Sequence, residues 1–398
     1  MPELLAPAGN LEKLRFAFAY GADGAYLAGR DYSLRAQADN FTFPELKEAA
    51  RIAACLNKKL YFALNIFFRN KDLSRLGVYL ERLLKINIRN IIVSDLGCLF
   101  FVQKNFKDTF HISLSTQANV TNSYAARSLQ ELGVRRIILA RELGFGDIRE
   151  IRKQTNLELE TFIHGAMCVS YSGRCLLSEY FNSRSANRGD CSHPCRWEYE
   201  LIELSRKGER LGIEEDRHGT YLFSSKDLMT LNILDRLIKT GVDAFKIEGR
   251  MKSLYYVANV TRVYRKAMDL ILNKKPVHLT RLMEELDSVS HRPYFNGFYL
   301  KQKGSIDHQR ALVRKYAFIG TVRARVKEDL YEISLKETLH RDDSIEMINP
   351  GFKDADHIRF KLFDKYMRPV DRGVITDKFY IQLDFPADEF SIIRKKIK

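Results

Sequence analysis

Four of the six cysteines crowd into 28 residues: Cys168, Cys175, Cys191 and Cys195, spaced C-x6-C-x15-C-x3-C. Thiolates are soft anionic donors, and four of them in one short segment make a ligand set for an iron–sulfur cluster or a soft metal ion. Zinc is the plainer alternative. Structural zinc sites usually pair their ligands as C-x2–4-C, which here fits only Cys191 and Cys195. Between the cysteines lie Ser172, Gly173, Arg174, Ser185, Asn187, Arg188 and Gly189, with Arg196 just beyond. Residues of these types supply the N–H groups and cations that offset a cluster's negative charge. Cys55 and Cys98 stand alone in apolar helical stretches and read as buried packing residues.

A second set of residues falls where apolar runs end: Asn65, Asp95, Gln117, Arg141, Glu142, His164, Lys226, Glu248 and Arg250. Singly, each is as simply a satisfied structural polar group. Together they would ring the end of a barrel at which such folds place their chemistry. Arg141 and Arg250 can clamp a carboxylate or phosphate, and Glu248 and His164 are the candidate proton-transfer groups. Asn65, Gln117, Glu142 and Lys226 would contact substrate. Tyr171 and Tyr180, close to the cysteines, can stack an unpaired base or equally fill a core.

The elements that would position these groups alternate along the chain. Strands are predicted at Glu3–Ala8, Ala25–Ala28, Leu60–Ile66, Asn90–Ser94, Phe110–Ser115, Arg136–Ala140, Leu157–Ile163 and Ala244–Ile247, with amphipathic helical patterns between them. Gly21, Gly133 and Gly241 sit where glycines end helices. Eight such units favour a (β/α)8 TIM-like barrel over an open doubly wound sheet, and no G-x-G-x-x-G follows any strand. About 80 residues between Ile163 and Ala244 break the rhythm and carry the four cysteines. A hairpin (Trp197–Leu204 with Thr220–Ser224) and a helix complete that excursion. The last barrel helix is predicted at Leu254–Leu272, followed by a helical stretch at Leu279–Ser288 and a Gly- and aromatic-rich linker, Arg292–Phe298. Beyond it the period falls to 2, with short strands at Ala317–Val326, Leu330–Lys336, Ser344–Ile348, Ile358–Leu362 and Phe379–Leu383. The division expected is a barrel over 1–290 with its cysteine segment at 164–200, a linker at 291–310, and a small β-barrel at 311–398.

Composition sets outer bounds. Hydrophobic residues make up 45% and charged residues 29%, the mixture of a globular chain rather than a disordered one. There is no membrane-spanning run and no signal-like start, so a cytoplasmic protein is expected. Lys and Arg exceed Asp and Glu by 65 to 50, a net charge of +15. That excess favours a polyanionic partner, though a generally basic soluble protein would show it too. The run Lys301, Lys303, Arg310, Arg314, Lys315, Arg323, Arg325 and Lys327 places the expected polyanion footprint at the start of the C-terminal region, with Arg314, Lys315 and Arg323 as its phosphate contacts.

Several segments together resemble one family. Glu160-Thr-Phe162-Ile-His164-Gly165-Ala-Met-Cys168, with Tyr171-Ser-Gly173-Arg-Cys175-Leu-Leu-Ser178 after it, is similar to the signature of the collagenase-like peptidase family U32. Gly189-Asp-Cys191-Ser-His-Pro-Cys195-Arg-Trp197 resembles the second half of that family's cysteine pattern. The likeness extends to Glu3–Gly9, Ser115–Asn119, Arg141-Glu142-Leu and Lys246-Ile-Glu248-Gly-Arg250-Met-Lys252-Ser. The resemblance implies a TIM-like barrel, a [4Fe–4S] cluster on the four clustered cysteines and a small C-terminal β-barrel. It also implies an oxygen-inserting activity: 5-hydroxylation of the wobble uridine of tRNA with the dicarboxylate prephenate as co-substrate, hydroxylation of an rRNA cytidine, or hydroxylation of a quinone precursor. The C-terminal region favours the tRNA type. Proteolysis, which the family name suggests, has little support in the residues, since neither H-E-x-x-H nor G-x-S-x-G occurs and Cys168, near His164, is claimed as a ligand. A non-catalytic cluster-bearing RNA-binding module is the remaining alternative.

Overall fold

The computed structural model describes residues 1–33, 39–168, 170–196, 226–300, 313–375 and 377–397, and the backbone of 201–202, 210–211, 215–216 and 219–220. Eight parallel strands organise it: β1 Glu3–Pro7, β2 Gly24–Leu27, β3 Lys59–Leu64, β4 Asn90–Val93, β5 His111–Leu114, β6 Arg136–Ile138, β7 Glu158–Ala166 and β8 Ala244–Ile247. They pair in chain order, and β8 pairs with both β1 and β7, which closes the sheet into the expected barrel. Its strands are near-continuous apolar runs because helices cover the outside and side chains fill the inside.

The helices are set by local chemistry. Helix Phe43–Cys55 opens on a capping box in which Thr42 and Glu45 satisfy each other's backbone N–H groups, and it buries Leu46, Ala49, Ile52 and Ala53 along one stripe. Asn10, Asp95, Asn122 and Ser253 cap four further helices through their side chains. Asp95, expected in the functional ring, is thus a helix cap. Helix Leu254–Leu272 runs the height of the barrel and is buried on nearly every side, because the C-terminal domain covers the face the barrel leaves open. Among the described residues no helix is long and apolar enough to cross a membrane.

β7 departs from the regular pattern. Its first half pairs parallel with β8, whereas its end pairs antiparallel with a short strand, Asp227–Met229. The β7–β8 register slips by one residue, Lys246 facing Phe162 and Ile247 facing His164. Such a bulge inverts the inward–outward alternation beyond it. Asp227–Met229 also pairs with Tyr294–Phe295, and Tyr299 is buried with its hydroxyl on the Phe162 carbonyl. Residues 291–300 therefore pack onto the barrel instead of forming the expected linker. Residues 301–312, including Lys301, Lys303 and Arg310, lie outside the described residues, as does most of the expected hairpin.

The C-terminal region is an antiparallel sheet curled into a half-barrel around Ile333, Leu335, Ile345, Met347 and Ile381. It adds a strand, Ile392–Lys396, that the period-2 reading did not find, and this strand pairs with Tyr316–Arg325 at the centre of the sheet. The two domains meet across buried charge. Arg262, fully buried, contacts Glu285 at 2.6 Å and Asp354 at 2.7 Å, while Arg394 reaches Glu285, Glu346 and the Tyr255 hydroxyl.

Candidate functional site

A cavity of about 220 Å³ opens at the C-terminal ends of the barrel strands. Cys168, Cys175, Cys191 and Cys195 all line it, together with Tyr26, Phe162 and Lys246 from the barrel interior. Cys168 follows the end of β7, Cys175 precedes the short helix Leu177–Asn182, and Cys195 lies in the 3-10 turn Pro194–Arg196. Two glycines let this segment lie across the mouth. A side chain at Gly165 (φ +111°) would collide with the Glu248 carbonyl, and one at Gly173 (φ +74°) with that of Gln117. The segment is strapped down by polar contacts. Arg188 Nη1 donates to the Phe67 carbonyl at 2.8 Å and to Asp72 at 2.9 Å, Phe67 N donates to the Asn187 carbonyl, and Ser172 N donates to Glu142 Oε1 at 3.1 Å.

All four thiols are free of disulfides. Cys191 Sγ accepts from His193 N at 3.4 Å, and Arg141 Nη2 approaches Cys168 Sγ at 4.0 Å. Donors of this kind stabilise thiolate. Among the described residues no three His, Cys, Asp or Glu side chains converge closely enough to hold a single metal ion. In a cubane each thiolate takes its own iron, so a cluster does not ask its ligands to meet at one point. The donor set fits that group. Cys98 is buried as expected, but Cys55 is exposed, because it ends its helix and its thiol turns to solvent near Arg51.

Four cations line the same cavity: Arg141, Lys246, Arg250 and Arg292, with Glu248 the acidic side chain among them. Arg141 donates to the Ala166 carbonyl at 3.0 Å and lies over the Phe162 ring. Arg250 is buried, its Nη2 bonded to Ser33 Oγ at 2.7 Å and to Asn40 Oδ1 at 2.9 Å. Gln117 Oε1 accepts from Asn65 Nδ2, Ser94 Oγ and Ser115 Oγ, which fixes the amide and leaves its NH₂ without a partner among the described residues. Asn65 and Gln117 both line the cavity, and Tyr171 stands exposed at its edge.

The sequence model described as peptidase family U32 matches residues 9–309, and that of the family's C-terminal domain matches 314–394. The chain belongs to peptidase family U32. Among its U32 relatives is "tRNA hydroxylation protein P" of Escherichia coli, 36% identical over 394 residues that cover 88% of this chain and 86% of that one. The protein of the same name from Haemophilus influenzae is 34% identical over 438 aligned positions, gaps included, which cover 97% of this chain and 94% of the other. "Collagenase" of Porphyromonas gingivalis is 30% identical over 384 residues, 90% of each.

Several of the expected site residues do not reach the U32 cavity. His164 lies past the β7 bulge, so it points outward, like Ile247 opposite it, into a cage of Tyr256, Tyr264 and Tyr294. Burial, reinforced by His291 and Lys252, holds its pKa well below the usual histidine range. Enclosed by tyrosines and outside the cavity lining, His164 does not stand where the expected proton transfer would take place. Glu142 does not line the cavity and instead holds the cysteine segment through Ser172. Lys226 is half-buried just before Asp227–Met229, outside the lining. Tyr180 is exposed against Phe181, away from the cavity. The expected phosphate contacts each have a carboxylate partner: Arg314 with Glu337, Lys315 with Asp287, and Arg323 with Glu12. Lys246 was missed. The signal was present, since Lys246 and Glu248 are two apart and a strand puts such residues on one face.

Proposed function

We propose that this chain hydroxylates tRNA at C5 of the wobble uridine, with a [4Fe–4S] cluster on Cys168, Cys175, Cys191 and Cys195 and prephenate as co-substrate. The names of the relatives that match nearly its whole length support tRNA as the substrate. The observation that carries the reading is the meeting of four thiols and four cations in one cavity at the catalytic end of a barrel. Such a lining suits an anionic co-substrate beside a cluster. A bound cluster would supply electron-transfer or Lewis-acid chemistry. The chain's own residues do the rest. Arg141 and Arg250 bind carboxylate, and the fixed Gln117 amide offers N–H donors to a base carbonyl. Glu248 holds or accepts a proton, and Tyr171 stacks the extruded base.

The RNA backbone is assigned to the rim of the barrel mouth. There Arg30, Lys71, Arg75 and Arg174 are exposed and make no ion pair with the described residues. The second reading, a thiol hydrolase, is favoured by one contact, Cys191 Sγ to His193 Nδ1 at 3.9 Å. Nucleoside analysis of tRNA from a strain lacking the gene decides between them. Loss of 5-hydroxyuridine-derived wobble nucleosides, restored by the wild-type gene, is expected. An unchanged nucleoside profile overturns the proposal.

A further inference from the structure

A column of alternating charge rises through the barrel to the cavity. At the bottom, Glu3 Oε2 contacts Arg136 Nη2 at 2.8 Å. Arg136 Nη1 contacts Glu160 Oε2 at 3.1 Å, and Glu160 Oε1 accepts from Lys246 Nζ at 2.8 Å. Glu160 and Lys246 are 1% and 5% exposed at their side chains, so this is a desolvated pair. Burial pushes the Glu160 carboxyl up, but Lys246 and Arg136 outweigh it and hold its pKa below the ordinary value. Below Lys246 each charge has partners on both sides. Arg136 has Glu3 and Glu158 as well as Glu160, and Glu160 divides its oxygens between Arg136 and Lys246.

Lys246 ends the column and lines the cavity. Its ammonium carries three donors, and Glu160 is the acceptor it has among the described residues. The rings of Tyr26 and Phe162 lie beside it, with centroids 4.4 and 5.9 Å from Nζ. Ring faces attract a cation but accept no strong hydrogen bond. A buried ammonium with donors left over, facing a cavity, asks for an oxygen from whatever enters.

We propose that Lys246 is the floor contact of the cavity, donating to an anionic or carbonyl oxygen of the molecule bound there. This rests on the proposed function in taking the cavity as the place where the molecule sits. Two sources carry that chemistry: a carboxylate of prephenate, and a ring carbonyl of the target uracil. Lys246→Met alone leaves Glu160 buried with one partner fewer and can fail to fold. The E160Q/K246M pair removes both charges at nearly constant shape and leaves Arg136 with Glu3 and Glu158.

The full-length protein is tested with two probes, prephenate by calorimetry and a labelled anticodon stem–loop RNA by fluorescence anisotropy. The double variant is expected to melt close to wild type yet to lose tenfold or more in affinity for one probe, while the other stays within twofold. Loss confined to prephenate assigns the carboxylate, and loss confined to RNA assigns the base. A double variant that binds both like wild type shows a purely structural ion pair and overturns the proposal. So does a wild-type protein that binds neither probe. The tRNA reading fails separately, in the nucleoside analysis of the deletion strain, which does not involve Lys246.

Discussion

Glu248 and Arg250 sit two residues apart after β8 and both line the cavity, yet replacing them should have different consequences. Arg250 is buried and bonded to Ser33 and Asn40, so it holds the loops after β2 as well as lining the cavity. Arg250→Ala should abolish hydroxylation and also lower stability by about 1–3 kcal/mol, because it strands buried polar partners. Glu248→Gln keeps shape and should abolish hydroxylation with an unchanged melting temperature. Wild-type hydroxylation in Glu248→Gln would remove that residue from proton transfer. His164 makes the opposite prediction. Its folded-state pKa is depressed by burial, so the unfolded chain takes up a proton that the folded chain refuses. Stability is therefore full above the unfolded pKa of about 6.5 and falls below it, by up to ~1.4 kcal/mol per pH unit. His291, also lowered by burial, adds to the slope. His164→Phe should flatten the acid limb of a melting-temperature profile between pH 7 and 5 while hydroxylation persists. An unchanged limb places the titration elsewhere.

The barrel strands and the last barrel helix are legible in the sequence for one reason. Parallel strands buried on both faces leave near-continuous apolar runs, and covering helices leave a 3.6-residue stripe. The cysteine spacing is equally plain, because the four thiols that line one cavity are also close in sequence. The outward turn of His164 was not legible, since a β-bulge adds one residue and leaves no compositional mark. Nor was the role of Glu142, which depends on where Ser172 lands, 30 residues further along the chain. The cysteine segment has little regular structure of its own, so its position depends on straps such as Arg188. Arg188→Ala removes the hydrogen bonds to the Phe67 carbonyl and Asp72. Limited proteolysis should then cut within residues 170–196 at least several-fold faster, with the melting of the barrel lowered by no more than ~1 kcal/mol. Equal cleavage rates would mean that the segment is held chiefly by the Ser172–Glu142 contact and by the hydrogen bonds between Ser178 and Ser192.

The excess of +15 has to be located on the folded molecule before it can be assigned to RNA. Where the half-barrel meets the barrel, basic residues are already engaged. Arg262 and Arg394 are buried against Glu285, and Lys315 and Arg323 reach across to Asp287 and Glu12. The exposed pairs among these contribute at most ~1 kcal/mol each. Their chief effect is to cancel the local field that a phosphate would feel. At the mouth of the barrel, by contrast, Arg30, Lys71, Arg75 and Arg174 are exposed without ion-pair partners among the described residues, around a cavity whose own lining is cationic. Two sets of charge reversals separate these surfaces. Arg314→Glu, Lys315→Glu and Arg323→Glu combined should loosen the junction between the domains and lower the melting temperature, leaving the salt dependence of tRNA binding as in wild type. Replacing Arg30, Lys71, Arg75 and Arg174 by Glu should weaken tRNA binding and flatten the log–log salt slope by about 0.7–0.9 for each phosphate that is no longer neutralised. Filter binding at three salt concentrations reads both. A flattened slope in the first set with an unaltered slope in the second would return the RNA footprint to the C-terminal half-barrel.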